Sequence, residues 1–229
     1  WDNSFAHSFS IKVPRDLGTP GRQNSQFRKN SSPQLNRLDF SPAVPSPGQP
    51  VVVTVRGSGR IGERVELVYR EAEVGSSKGW GVISMRLNSN GAGEPLSDGL
   101  FSGVLAGDWQ RGQVIEFFVR ASTQEGLSSY IPRLGERKPA MVVFDERRLP
   151  SDLRTIRLVV HPRDLELMQG WGTGHTQKYP RLSNQYFNAT FVSNEKKVVY
   201  GGELRRSGSP WTRNGGLSRG KWKLPKDRE

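Results

Sequence analysis

GQVIEFFVRAS, residues 112–122, decides the fold. Ile115, Phe117 and Val119 recur at a period of two, with Glu116 and Phe118 on the opposite face. β-branched and aromatic residues at that spacing, opened by a glycine, predict a strand with one face in a core. The same pattern extends upstream. QPVVVTVRG (49–57) aligns Val51, Val53 and Val55. RVELVYRE (64–71) aligns Val65, Leu67 and Tyr69 against Glu66 and Arg70. GWGVISMRLN (79–88) offers Ile83, Met85 and Leu87, and DGLFSGVLAG (98–107) follows an Asp98-Gly99 turn signal. Downstream, GLSSYIP (126–132) closes the run. Six or so short strands separated by Gly, Pro, Asn and Ser turns predict an antiparallel β-sandwich over 41–135 of immunoglobulin or fibronectin-like type. A chain with no cysteine cannot hold the inter-sheet disulfide of an antibody domain.

Before this run the texture is different. SFAHSFSIKVP (4–14) supplies one strand, and GTPGRQNS (18–25) punctuates it with a Pro20-Gly21 turn signal. Residues 26–40 read as a polar linker. After it, 136–150 reads as a second linker, an apolar run ending in a charged turn. LRTIRLVVHP (153–162) is a strand carrying Ile156, Leu158 and Val160. Pro162 suits the first position of a helix, with Leu165 and Met168 at helical spacing and Gly170 as the stop. YFNATFVSNEKKVVYGGELRR (186–206) is a hairpin turning near Asn194. Residues 151–229 therefore begin an α+β unit. The start at Trp1 and the end soon after this hairpin lead to the expectation of a fragment.

Composition narrows the chemistry. The formal net charge of +12 points to anionic partners or to a solvated basic surface. The Lys and Arg are dispersed and no aromatic-basic recognition motif stands out, which argues against nucleic acid. No stretch approaches the ~18 apolar residues of a membrane span. His7, His161 and His175 lack metal-ligand spacing, so no metal site is expected from this chain alone. GWGTGHTQ (170–177) lacks the Lys-Ser/Thr ending of a phosphate loop and reads as a plain loop. Asn188-Ala-Thr fits a glycosylation sequon, though it falls in an expected strand.

Three stretches of the last 80 or so residues carry a family resemblance: LPSDLRTIRLVVHPRDLELM (149–168), NATFVSNEKKVVYGGELRRSGSPW (188–211) and GKWKLPKDRE (220–229). In order and spacing they resemble the opening of the CotH kinase domain, an atypical kinase family first known from spore-coat proteins. The middle of the chain is similar to the immunoglobulin-like module that often precedes such domains. Residues 1–25 resemble the last strand of a lamin-tail-like domain. The family's usual basic or aromatic residue before the glycine is Ser207 here, and the segment between Trp211 and Lys221 is short.

The resemblance implies a secreted or cell-surface kinase that transfers phosphate from ATP, with a divalent metal such as Mg, to hydroxyls of coat or surface proteins. It implies Lys221 as the phosphate-contacting residue with Lys223 as second choice, Arg205 as a phosphate contact or orienting ion pair, and Gly208 and Ser209 as a small-residue turn near phosphate. The family's acidic metal-binding and catalytic residues lie beyond these motifs. No catalytic residue is therefore assigned within this chain, which is expected to be inactive by itself; ATP and Mg belong to the complete protein. The competing reading is a non-catalytic extracellular adhesion or scaffold module that binds glycan or protein.

Overall fold

The computed structural model describes residues 32–58, 64–75, 78–88, 99–148, 153–169, 185–207 and 220–225. The expected lamin-tail-like strand, Gly208, Ser209, Trp211 and the 170–177 loop lie outside them.

The chain is mainly β, and its larger part is a two-sheet sandwich. One sheet runs β1 (Gln34–Ser41), β2 (Val51–Ser58), β6 (Leu100–Leu105), β5 (Arg86–Leu87). The other runs β4 (Gly81–Ser84), β3 (Arg64–Glu71), β7 (Val114–Ser122), β8 (Ser128–Ile131), with β9 (Ala140–Val143) also on β7. First, second, sixth and fifth strands on one side, third and seventh on the other, is the order of immunoglobulin-type sandwiches. All pairings are antiparallel.

The period-two reading explains the core. Val51, Val53 and Val55 from one sheet meet Val65, Leu67, Ile115, Phe117 and Val119 from the other, all of them buried. Phe40 and Phe117 pack edge to face with ring centres 5.3 Å apart, the arrangement that aromatic quadrupoles favour. Met85 is where the chain crosses between sheets: β4 ends before it, β5 starts after it, and its side chain is buried. Leu87, expected to share the core face, is exposed on the short β5.

Both expected linkers contain structure. Residues 34–40 form most of β1, and Leu38 and Phe40 enter the core. Residues 136–150 contain β9, which pairs with the first half of β7 while β8 pairs with its second half.

Strand β7 is buried on both faces. On its outer face, Trp80 and Tyr130 flank Phe118 at 5.1 and 6.0 Å, and Glu116 accepts a hydrogen bond from Arg70 at 2.8 Å. Glu66 is buried too, held by Arg64 and by two hydrogen bonds from Arg120 opposite it on β7. A buried carboxylate is tolerated when it is paired in this way.

The C-terminal unit is a second antiparallel sheet, β10 (Ile156–Val160), β11 (Phe187–Ser193), β12 (Lys197–Arg206) and β13 (Gly220–Lys223), in sequential order. Helix α1 (Pro162–Gln169) begins at the expected proline. The β11–β12 hairpin turns through Asn194 and Glu195, both at positive φ of 50° and 58°.

Each face of this sheet has its own partner. Val160, Phe187, Ala189, Phe191 and Leu204 cluster with Met168 of α1. The opposite face meets the sandwich: Val159 and Val192 cluster with Met141, Val114, Ala43 and Val44. Thr190 Oγ1 accepts a hydrogen bond from the Met141 amide at 3.1 Å, and Asn188 Nδ2 donates to the Pro139 carbonyl at 2.8 Å. Asn188 is thereby committed to this junction. A glycan on that amide would require the contact to open.

Gly202 lies opposite Ala189 of β11. A Cβ there would lie 2.1 Å from the Phe191 ring and 3.1 Å from the Lys223 carbonyl. Gly202→Ala is expected to lower the urea midpoint, because a buried ring must leave its rotamer to make room. An unchanged midpoint would show that Phe191 gives way freely.

Candidate functional site

Register determines what β12 and β13 present. Glu203 lies opposite Lys223 and Arg205 opposite Lys221. Directly opposed residues share a face, so Arg205, Lys221 and Lys223 stand together on the face that also meets the sandwich. Three of the five expected site residues are thus brought together. Leu204, Arg206 and Trp222 occupy the reverse face. Trp222 is half exposed there, with its ring 5.4 Å from Phe191.

Tyr186, just before β11, organises the basic face. Lys223 Nζ lies 3.8 Å from the centre of its ring and the Arg205 guanidinium 5.2 Å. Both distances fall in the cation–π range. The one carboxylate among these strand residues is Glu203. It accepts a hydrogen bond from Lys138 of the sandwich and lies 3.9 Å from Lys223 Nζ. Lys221 is exposed. Among the described residues the face therefore carries more positive than negative charge around an aromatic ring, with Lys221 and Lys223 exposed to solvent. Such a surface can bind phosphate oxygens. Tyr186 gave no sequence signal as a site residue, because its role depends on the register of three strands.

A polar cleft of about 120 Å³ lies at the junction, lined by Arg70 and Glu116 of the sandwich and by His161, Arg163, Asp164 and Asn188 of the C-terminal unit. Within it Arg70 pairs with Glu116 and Arg163 with Asp164. Burial lowers the His161 pKa below its usual 6.5, while the Glu116 and Asp164 carboxylates oppose that shift and Arg163 and Arg70 reinforce it. The folded state thus binds a proton at His161 less readily than the unfolded chain does. This contribution to stability is present above pH ~6.5 and is lost as pH falls toward the folded-state value. His161→Asn is expected to flatten the dependence of the urea midpoint between pH 7.5 and pH 5.5. A parallel slope in the variant would exclude His161 as its source.

Among the described residues no group of three His, Asp or Glu side chains could hold a metal ion, and no helix is long and apolar enough to cross a membrane. The chain matches no protein-family model and no curated protein.

Proposed function

We propose that the face formed by Arg205, Lys221 and Lys223 around Tyr186 is a phosphate-binding surface, and that it serves a CotH-like secreted or surface kinase. The observation that carries this reading is the convergence of three cations on one sheet face beside a ring, with one carboxylate among them. In the complete protein the face would steady the ATP phosphates by charge, as phosphoryl transfer requires. Mg-binding carboxylates and the group that positions the acceptor hydroxyl would come from outside this chain. The acceptors on this reading are coat or surface proteins.

Thermal unfolding with and without ATP tests the proposal. Ligand that binds only the folded state raises the midpoint. ATP is expected to raise it for the wild-type chain. Lys221→Ala and Arg205→Ala should each weaken binding about tenfold or more, since a hydrogen bond to a charged group is worth ~1.5–3 kcal/mol. The chain alone should incorporate no phosphate from Mg-ATP. A midpoint indifferent to ATP would remove the kinase reading. The shared core between sandwich and C-terminal sheet would then favour a rigid scaffold or adhesion module.

A further inference from the structure

The sandwich reaches the basic face of the second sheet through Lys138. This residue follows the short 3-10 helix Gly135–Arg137, and its Nζ donates a hydrogen bond to Glu203 Oε1. The other oxygen of that carboxylate, Oε2, faces Lys223 Nζ at 3.9 Å. Glu203 therefore stands between a lysine of the sandwich and a lysine of the face. The two contacts differ in kind. The first is a direct hydrogen bond. The second is too long for one and leaves only charge attraction. Lys223 instead lies over the Tyr186 ring, with Nζ 3.8 Å from the ring centre.

Sheet geometry alone would favour the other arrangement. Glu203 and Lys223 are directly opposed on β12 and β13, a placement in which opposite charges ordinarily pair. Lys138 occupies the carboxylate in its place. The Lys138 and Glu203 side chains are only 34% and 28% exposed, so solvent screens their attraction less than on an open surface. The next residue, Pro139, accepts a hydrogen bond from Asn188 Nδ2 of β11 at 2.8 Å. That bond fixes where Lys138 enters. Without the Lys138 charge, the next cation to Glu203 is Lys223. A movement of about 1 Å would close that pair to hydrogen-bond length. Lys223 would then leave the ring, and its charge would be neutralised by a carboxylate.

We propose that Lys138 is a positioning residue for the basic face: it holds Glu203, and so keeps Lys223 on Tyr186 and available to phosphate. The affinity of the face then depends on the sandwich being docked on the C-terminal sheet, because Lys138 belongs to one and Glu203 to the other. The consequence for phosphate rests on the reading proposed above; the placement of Lys223 does not.

A double-mutant cycle in the full chain tests this with two readouts. The variants are Lys138→Met, which keeps an apolar stem, Glu203→Gln, and the two combined. The first readout needs no ligand. The Tyr186 ring current should shift the Lys223 ε-methylene NMR signals upfield in wild type, with Tyr186→Leu giving the unshifted position. Lys138→Met should move them toward that position, and adding Glu203→Gln should restore them. The second readout is ATP affinity. Lys138→Met should weaken it about tenfold, Glu203→Gln should tighten it about threefold, and the double variant should match Glu203→Gln, since coupled residues are not additive. Lys223 signals that stay in place in Lys138→Met would overturn the proposal. A loss of ATP affinity in Lys138→Met that Glu203→Gln leaves uncorrected would overturn it too, because Lys138 would then act without Glu203. Lys223 signals that respond as expected while no variant binds ATP would support the positioning role and overturn the phosphate reading.

Discussion

Replacing Asp145 by alanine is expected to cost the fold about 3 kcal/mol, the scale of breaking a buried ion pair. Asp145 follows β9 and is buried, and its carboxylate accepts hydrogen bonds from three directions. Arg147 donates through Nε and a terminal nitrogen at 3.0–3.2 Å and through its backbone amide at 3.1 Å. Arg157 of β10 donates at 2.8 Å, and Arg111 lies 3.7 Å away. Without the carboxylate, three guanidiniums face one another. Arg157 is the least able to escape, because it is largely buried and also held by Glu195 at 2.7 Å and by the Arg147 carbonyl.

This junction ties the end of the sandwich to the start of the second sheet, so its loss should release the two from each other. For a unit of this size the midpoint should fall by roughly 6–12 °C. The pH dependence has a definite sign. Hydrogen bonds from Arg147 hold the Asp145 carboxyl well below the usual carboxylate range, against the effect of burial. Its contribution is therefore complete above pH ~4 and fades as pH falls below that. Asp145→Asn should remove this acid-dependent part. A midpoint within about 1 °C of wild type, roughly 0.3 kcal/mol, would show that solvent screens the cluster fully.

Arg206→Ala should cost as much or more, about 3–5 kcal/mol. Arg206 is among the largest fully buried side chains, and its guanidinium donates to the Met168 carbonyl at 3.0 Å. That carbonyl belongs to the last turn of α1, where helix acceptors have no partner of their own and the helix dipole is negative. A buried cation there completes the helix and fills the space beside Leu204. Arg206→Met should restore packing but leave the carbonyl without this donor, and so recover only part of the loss. Hydrogen exchange separates the roles: amides of α1 should lose protection in both variants, those of the sandwich in neither. Equal loss across the whole chain would show that Arg206 supports the global fold and not the helix end.

These residues also mark where sequence reasoning stops. The strands of the sandwich were legible because one-sided burial imposes period two, as in Val51, Val53 and Val55. Helix α1 was legible through Pro162 and the Leu165–Met168 spacing. The buried Glu66 and Glu116 were not: they satisfy the same alternation as exposed charges, and their burial depends on the Arg120 and Arg70 that reach them. Residues 34–40 looked like a linker because β1 mixes its few apolar residues with polar ones, and 136–150 because its short apolar run, residues 140–144, shows no alternation and ends in a charged turn. For the candidate site, the placement of Lys221 and Lys223 on one face followed from their spacing by two. Their meeting with Arg205 and Tyr186 did not, because it depends on register across β11, β12 and β13. Arg206 looked like one more basic residue beside Arg205. Alternation turns it to the opposite face, into the core.

The kinase reading proposed above stands or falls with phosphate binding at the β12–β13 face. Titration of the ¹⁵N-labelled chain with ATP tests it most directly. Salt-sensitive shifts are expected, centred on the amides of Tyr186, Arg205, Lys221 and Lys223 and lost in Lys221→Ala. Shifts confined to the sandwich, or none at ATP concentrations that saturate ordinary nucleotide sites, would contradict it.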